Sequence, residues 1–283
     1  MSHAGTRNRQ QGTGPRRPFV IVTGAGRSGT SAVARVLHES GVRMGHDLAE
    51  PTEDNVEGFY EELPVVLLHE RMLRDLRMSG IWETRQSLRW ARRATVLTVA
   101  ERYRDVMAAL IAGAAGGWKD PRFSITLEAW LPSLPARPKV IVCLRSPEAY
   151  AESVQRVFGL VELEAARRQW ARHYRRLLDV IRDHRLEATC VEYDALVERP
   201  EETVAALAAF VGRPLRADYV DAPLRRHVCA VPPQYRRLYE EVASLQVTAS
   251  SGRAHPAPAR RGRARPAANR RGGGAAPARR AGT

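Results

Sequence analysis

The chain has few of the residues that mark metalloproteins, disulfide scaffolds and membrane proteins. Its three cysteines, Cys143, Cys190 and Cys229, are too few and odd in number for a disulfide framework. No CxxC, HExxH or cluster of His and Cys occurs, so the sequence predicts no metal site. No apolar run approaches the ~20 residues that span a bilayer, and the N-terminal residues lack the apolar region of a signal peptide. We therefore predict reduced thiols, a cytoplasmic protein and no transmembrane segment.

Acidic and aromatic residues are missing from both ends of the chain. Residues 1–17 and 246–283 hold 13 arginines and no acid, so they carry most of the formal net charge of +14. Both ends are rich in small residues and Pro and lack apolar periodicity, which predicts disordered basic tails. Neither end has an aromatic ring to stack on a base. We therefore predict one α/β domain over 18–245, flanked by tails, and no specific nucleic-acid partner.

Lysine is also nearly absent. Of the 45 basic residues other than histidine, all but Lys119 and Lys139 are arginine. A compact, rotatable ammonium does different chemistry from a planar guanidinium. In a chain with this bias, Lys119 is a candidate for a functional position.

Residues 19–31 form the most informative segment. They read FVIVTGAGRSGTS, which is an apolar run, a glycine-rich turn and the start of an amphipathic helix. The run predicts a buried parallel strand, and the glycines let the backbone approach a ligand closely. Hydroxyl and N–H groups at a helix N-terminus favour an anion. The segment therefore predicts a phosphate-binding loop.

Three interpretations compete for this loop. Gly24, Gly26 and Gly29 satisfy the GxGxxG fingerprint of dinucleotide-binding proteins. The spacing from Gly24 to Gly29 nearly satisfies the Walker A loop, but Thr30 stands in place of its lysine. The segment 27–31, RSGTS, also resembles the 5′-phosphosulfate loop of sulfotransferases, whose Arg/Lys-Ser-Gly-Thr-Ser/Thr core it matches at every position.

Strands and helices alternate along the rest of the domain. Further strands are predicted to end at Lys119, Leu144 and Tyr193. Predicted helices cover about 62–79, 95–114, 123–131, 162–185 and 200–211, and another begins at Ser146-Pro147. This alternation predicts a parallel sheet covered by helices on both faces, with the ligand beyond the carboxyl ends of the strands.

Three of these strand ends carry further motifs. Arg145 follows one strand, with Ser153 eight residues later, and this pair resembles the 3′-phosphate element of sulfotransferases. Residues 118–122, WKDPR, resemble the Lys-Asp-Pro-Arg element of many bacterial members, and 193–200, YDALVERP, resemble a Tyr-Glu-Asp-Leu…Pro segment. With the loop, four ordered matches make the chain similar to the bacterial sulfotransferase superfamily. The resemblance implies a P-loop-like α/β fold.

The resemblance also implies the donor 3′-phosphoadenosine 5′-phosphosulfate (PAPS) without a metal. The acceptor would be a hydroxyl or amine of a small molecule or glycan, such as a carbohydrate, lipid-linked or secondary-metabolite group. Arg27 would stand beside the 5′-phosphosulfate, with Lys119 as a second cation on the transferring sulfonate. The implied donor-binding residues are Gly26, Arg27, Ser28, Gly29, Thr30, Ser31, Arg145 and Ser153.

The general base has two candidate types. Residues 55–61, NVEGFYE, resemble the Asn-Pro-x-Gly-x-x-Glu segment of bacterial members, which favours Glu61, while His69 and His46 are the alternatives. Segments 45–60, 76–95 and 155–170 are expected to line the acceptor pocket. The C-terminal Arg-Lys-Gly…Gly-Asp-Trp-Lys segment of the cytosolic animal enzymes is missing. Arg225 and Arg226 are candidates to bind the 3′-phosphate in its place, although surface charge is the favoured interpretation.

Other function classes fit less well. A P-loop-type kinase or other ATP-binding enzyme is the main alternative, although the Walker lysine and a strand ending in a Mg²⁺-binding aspartate are missing. A short-chain dehydrogenase needs Tyr four residues before Lys, where Ala115 and Pro135 stand. A dinucleotide enzyme needs a second apolar strand that ends in an acid, which Gly45-His46-Asp47 does not provide. A nucleotide-binding scaffold without activity, or a nucleic-acid binder that acts through its tails, is the non-enzymatic alternative.

Overall fold

The fold is built on one parallel sheet. The computed structural model describes residues 18–52, 55, 58–78, 90–159, 162–220 and 230–245. Both predicted tails, and Arg225 and Arg226, lie outside these residues. Within them, four strands form a sheet in the order β2-β1-β3-β4. The strands are β1 (Val20–Gly24), β2 (Gly117–Lys119), β3 (Lys139–Leu144) and β4 (Glu187–Glu192).

Helices connect the strands and complete the domain. In the part of the chain described, they are α1 (Thr30–Glu39), α2 (Leu63–Asp75), α3 (Arg93–Ala100), α4 (Arg104–Ala112), α5 (Phe123–Trp130), α6 (Pro147–Phe158), α7 (Leu163–Asp183), α8 (Tyr193–Glu198), α9 (Pro200–Val211) and α10 (Pro233–Ala243). None of these helices is both long and apolar enough to cross a membrane.

Both faces of the sheet are buried, as the sequence predicts. Along β1, Val20 and Val22 pack into one core with α1 and α9, while Ile21 packs into the other with α5 and α7. Residues of β3 alternate in the same way, with Ile141 in the first core and Val142 in the second. This alternation follows from the pleat, since neighbouring side chains of a strand point to opposite faces. The prediction of a parallel sheet covered by helices on both faces is confirmed.

The register brings four chain segments to one edge. Val22 pairs with Lys119, Gly24 with Cys143, and Leu144 with Glu192. Because all strands are parallel, the segments that follow their carboxyl ends share the edge where α/β proteins bind ligands. These segments are the glycine-rich turn after β1, residues 120–122 after β2, Arg145 after β3 and Tyr193 after β4.

Three elements differ from the prediction. The helix predicted over 95–114 is divided into α3 and α4 by a 3₁₀ turn at Glu101–Tyr103, where no Gly or Pro marks a break. Tyr193, predicted as the last residue of a strand, begins α8 because the pairing with β3 ends one residue earlier. Helix α10 was not predicted, although Tyr235, Leu238 and Val242 recur at helical spacing and are buried.

Candidate functional site

The turn between β1 and α1 is shaped to leave backbone N–H groups exposed to a ligand. Arg27 and Gly29 adopt the left-handed conformation, with φ of 65° and 84°. A Cβ on Gly29 would lie 2.5 Å from the ring of Tyr193, so only glycine fits there. Helix α1 then begins at Thr30, and within the described residues no side chain caps it. Its first N–H groups and its dipole are therefore available to an anion.

A cleft opens above this turn. It is lined by Arg27, Gly29, Thr30, Ser31, Ala32, Arg35, Asn55, Tyr60, Arg145 and Tyr193. Five of these are donor-binding residues named from sequence, and the structure brings them together. Three guanidinium groups line the cleft, and no carboxylate does among the residues described. The chemistry of the cleft is that of a site for a polyanion.

Arg145 is held in place by contacts on three sides. Its guanidinium lies over the ring of Tyr193 at 4.7 Å, and its Nη1 donates to the carbonyl of Arg27 at 3.3 Å. The indole N–H of Trp170 donates to its backbone carbonyl at 3.0 Å. Its Nε is buried and has no hydrogen-bond partner among the described residues. A buried donor without an acceptor costs about 1–3 kcal/mol, so this position suits an anionic ligand.

Ser153 and Ser28 occupy different surroundings. Ser153 lies on α6, is 5% exposed, and its Oγ is 3.4 Å from the Nε of Arg27. The structure therefore places Ser153 next to the loop. Ser28 is completely buried, and its Oγ lies 3.2 Å from the hydroxyl of Tyr174. Its side chain supports the loop from within.

Lys119 and Glu61 form a buried ion pair directly behind the loop. The Nζ of Lys119 lies 2.6 Å from Glu61 Oε1 and donates to Ser31 Oγ at 3.1 Å. The ammonium also lies 5.9 Å from the centre of the Phe59 ring. Lys119 is 2% exposed and Glu61 7% exposed. Because Ser31 lines the cleft, the pair lies one side chain away from it.

Arg122 and Asp120 extend this charged group beyond Glu61. The Nη1 of Arg122 lies 3.3 Å from Glu61 Oε2 and 3.1 Å from Asp120 Oδ1, and its Nη2 lies 2.5 Å from Glu70 Oε1. Asp120 is 1% exposed. Burial works to raise its pKa, but the charge of Arg122 and the bonds from His69 and Arg122 hold that pKa well below its usual value. Asp120 is therefore ionised at neutral pH.

Neither histidine considered as a base lies in the cleft. His69 is completely buried, and its Nδ1 is 2.8 Å from Asp120 Oδ2. Its Nε2 accepts from the indole N–H of Trp130 at 2.9 Å, so both ring nitrogens are engaged. His46 is exposed, and its backbone N–H donates to Glu62. Glu61 does not line the cleft either, but it binds Lys119, which donates to Ser31 of the loop.

The predicted acceptor segments divide between cleft and core. Asn55 and Tyr60, from segment 45–60, line the cleft, and the Asn55 amide donates to the carbonyl of Gly58 at 2.7 Å. Trp90 instead packs on His173 in a T-shaped contact at 4.9 Å. Phe158 packs against the core next to α7. Residues 79–89 of the predicted segment 76–95, which include Trp82, lie outside the described part of the chain.

Arg35 and Tyr193 line the cleft although the sequence analysis did not assign them to the site. Arg35 comes four residues after Ser31 and therefore lies on the same face of α1. Tyr193 directly follows β4 at the ligand edge of the sheet. Burial raises the pKa of the Tyr193 hydroxyl, which stays neutral. The spacing of Arg35 from Ser31 on α1, and the position of Tyr193 at a strand end, could have predicted these two site residues from the sequence.

No metal centre is present among the residues that the structure describes. In this part of the chain, no group of three or more His, Cys, Asp or Glu side chains is arranged to hold a metal ion. Glu61 and Asp120, the acids behind the loop described above, are bound by cationic side chains.

The chain matches one family model and is similar to several solved structures. A family model described as "Sulfotransferase family" matches residues 18–217. Among solved structures, the chain is similar to the sulfotransferase domain of the Synechococcus PCC 7002 olefin synthase, with 19% identity, a TM-score of 0.45, and 87% of this chain and 94% of that chain covered. The sulfotransferase domain from the curacin biosynthetic pathway has 16% identity, a TM-score of 0.44, and coverages of 83% and 93%.

A sulfotransferase from Mycobacterium tuberculosis H37Rv is a third similar structure. It shares 15% identity and a TM-score of 0.39, with 72% of this chain and 69% of that chain covered. No curated protein matches the chain.

Proposed function

The chain belongs to the sulfotransferase family, and on that basis we propose that it transfers a sulfuryl group from PAPS to a hydroxyl or amine of an acceptor. One observation carries the choice of donor. The cleft beyond β1 joins three guanidinium groups to the uncapped N-terminus of α1, with no carboxylate among its described lining residues. PAPS carries phosphate at its 3′ position and phosphosulfate at its 5′ position, and this cleft offers cations for both.

The two ends of the donor have separate partners in this proposal. The backbone N–H groups of 28–31, the hydroxyl of Thr30 and the guanidinium of Arg27 hold the 5′-phosphosulfate. Arg145 and Ser153 hold the 3′-phosphate, and the unpartnered Nε of Arg145 supplies a donor for it. ATP has no 3′-phosphate, so this second contact separates the two nucleotides.

Sulfuryl transfer then needs positive charge on the leaving side and a base on the entering side. The bond between sulfur and the 5′-phosphate oxygen breaks, its electron pair stays on the phosphate, and the acceptor oxygen or nitrogen bonds to sulfur. Arg27 and the N-terminus of α1 stabilise the charge that develops on the phosphate. Lys119, fixed on Ser31, supplies a second cation for the sulfonate oxygens. Because these groups supply the charge, we propose a reaction without a metal.

Glu61 is the proposed general base. Its Oε1 is occupied by Lys119 at 2.6 Å, whereas its Oε2 has the longer contact of 3.3 Å with Arg122. Oε2 is therefore the oxygen that takes the acceptor proton.

The acceptor and the location complete the proposal. Asn55 and Tyr60 border the cleft, and a small molecule or glycan that presents a hydroxyl or amine, such as a carbohydrate, lipid-linked or secondary-metabolite group, fits the family's chemistry. Cys143 and Cys190 are free thiols, which suits a reducing, cytoplasmic compartment.

Thermal unfolding with three ligands in parallel tests the donor. Adenosine 3′,5′-bisphosphate, Mg-ATP and NADP are each added to the wild-type protein and to the Arg145→Gln variant. At about 100 times its Kd, the bisphosphate is expected to stabilise the wild type by about 2.7 kcal/mol. Losing the Arg145 contact is expected to weaken its binding about 10- to 100-fold. Arg137→Gln, an exposed arginine that contacts the carbonyl of Arg185, is the control.

Stabilisation by Mg-ATP or NADP without a response to the bisphosphate would contradict the proposed donor. It would favour the kinase or dinucleotide interpretation of the same loop.

A further inference from the structure

Arg122 lies where the buried charges behind the phosphate loop converge. It follows β2 and precedes α5, and its side chain is 14% exposed. Its guanidinium contacts carboxylates from three places in the chain, namely Glu61, Glu70 and Asp120. A planar guanidinium has five N–H donors in fixed directions, so one side chain sets the orientation of all three carboxylates.

Arg122 is itself anchored from the core. Asp120 Oδ1 accepts from the backbone N–H of Arg122 at 2.7 Å and from its Nη1 at 3.1 Å. The other oxygen of Asp120 binds His69, which accepts from Trp130. His69 and Trp130 are completely buried. The guanidinium is therefore held against a rigid group of α2 and α5 side chains rather than moving with the surface.

Arg122 and Lys119 divide the two oxygens of Glu61 between them. Lys119 holds Oε1 at 2.6 Å, and Arg122 holds Oε2 at 3.3 Å. Carboxylate contacts by two cations fix the plane of the Glu61 carboxyl group. The shorter contact satisfies Oε1, and the longer one leaves Oε2 oriented but more weakly bound.

Arg122 cannot take the proton itself. Burial disfavours its charged form, yet Asp120, Glu61 and Glu70 hold the pKa of Arg122 above its already high value. It therefore remains a cation throughout the pH range of the reaction. Its effect on the chemistry is exerted through Glu61.

We infer that Arg122 is a positioning residue that holds the Glu61 carboxyl group in one orientation, with Oε2 as its more weakly bound oxygen. This inference rests on the proposed function, in which Glu61 receives the acceptor proton. This role is not confined to the turn in which Arg122 lies. The guanidinium links that turn to Glu61 and, through Glu70, to α2. Without it, Glu61 keeps only Lys119, which fixes one oxygen and leaves the carboxyl plane free to rotate.

PAPS turnover with water in place of the acceptor tests this without knowledge of the natural acceptor. Water gives up its proton to Glu61 and bonds to sulfur, so sulfate and adenosine 3′,5′-bisphosphate are released. Wild type, Arg122→Gln and Arg122→Lys are compared for kcat, for KM toward PAPS and for Kd toward the bisphosphate. We expect Arg122→Gln to lower kcat about 30- to 100-fold, the effect of a misplaced catalytic group. KM and Kd are expected to stay within about twofold, and Arg122→Lys to recover part of kcat because it restores the charge.

Arg93→Gln is the matched control. Arg93 also bridges two carboxylates, Glu128 and Asp183, and contacts no residue assigned to the site. Its loss is expected to lower thermal stability and leave kcat within about twofold, since ion pairs of this type act on folding. An Arg122→Gln variant that behaves like Arg93→Gln would overturn the inference. A parallel loss of kcat and bisphosphate affinity would also overturn it, because Arg122 would then act on the donor.

A second readout does not require turnover. The chain has two lysines, so acetylation of Lys119 relative to Lys139 reports on the ion pair within each molecule. Removing Arg122 loosens Glu61 over the Lys119 ammonium, and the ratio is expected to rise at least threefold in Arg122→Gln but not in Arg93→Gln. An unchanged ratio in folded Arg122→Gln would contradict the inference. Failure of the wild type to bind the bisphosphate would instead contradict the proposed function.

Discussion

At the scale of single residues, the buried charges behind the glycine-rich loop offset one another in a network of ion pairs. Lys119 is almost fully buried, and an isolated ammonium in that position would be strongly disfavoured. Glu61 offsets this cost, and Arg122 gives Glu61 a second cation. Removing one member of a buried pair typically costs about 3–5 kcal/mol, because the other charge is left uncompensated. The same arrangement that keeps the fold stable also holds the Lys119 ammonium on Ser31 and the Glu61 carboxylate beside that ammonium.

Lys119 should be shielded when the donor site is filled. Its ammonium donates to Ser31, which lines the cleft. Lys139 is the first residue of β3, at the edge of the sheet opposite the cleft, and binds Glu187 and the carbonyl of Phe210. In acetylation with acetic anhydride, we expect saturating adenosine 3′,5′-bisphosphate to slow modification of Lys119 at least threefold and to leave Lys139 unchanged. Mass spectrometry of the two lysine peptides measures both rates in one sample. Equal protection of both lysines, or of neither, would place the ligand elsewhere.

At the scale of elements, the residues of the cleft come from the ends of neighbouring strands. Their meeting at one edge of the sheet could be predicted from the sequence. Motifs after β1 and β3 named Arg27, Gly29 and Arg145, and parallel pairing accounts for their meeting in one cleft. The contacts of Arg122 were not accessible, because they depend on how α2 packs against the end of β2. Sequence spacing gives the face of an element but not the distance between side chains on different elements.

The fold also has parts that the sequence predicts and parts that it does not. The strands and most helices followed from apolar periodicity, since each buries a regular stripe or an alternating face. The break between α3 and α4 and the start of α8 did not, because they depend on tertiary contacts rather than on Gly or Pro. The boundaries 18–245 and the two basic tails remain predictions.

The start of α1 should be intolerant of any side chain at Gly29. Gly29→Ala places a Cβ 2.5 Å from Tyr193 in a left-handed backbone position. Gly212→Ala is a matched control, because Gly212 also has positive φ at a helix boundary but has nothing within 4 Å of its Cβ. The control is expected to lose about 1–2 kcal/mol of unfolding free energy from backbone strain alone.

Gly29→Ala should lose more than the control and should also lose bisphosphate affinity, since Tyr193 must move away from Arg145. Urea unfolding and calorimetric titration measure the two effects. Similar losses in both variants, with affinity retained, would show that Tyr193 does not determine the shape of the cleft.

At the scale of the whole molecule, most of the net positive charge lies outside the segment that forms the sheet and its helices. The formal charge of +14 belongs mostly to the ends of the chain, while the domain between them is close to neutral. The cations of the cleft are therefore a local feature of the sheet edge and not a sign of a generally basic surface. Helix α10 extends the domain to Leu245, whose carbonyl accepts from the backbone N–H of Cys190 on the edge strand β4.

The most direct test of the whole account is release of adenosine 3′,5′-bisphosphate from PAPS by the wild type and by Glu61→Gln, followed by chromatography. The account predicts that the wild type releases the bisphosphate. Glu61→Gln is expected to bind the bisphosphate with a similar Kd. Its rate of PAPS turnover is expected to be lower than that of the wild type by about 100-fold or more, because the general base is lost. A wild type that binds the bisphosphate and releases none from PAPS, or a Glu61→Gln variant with the wild-type rate, would contradict it.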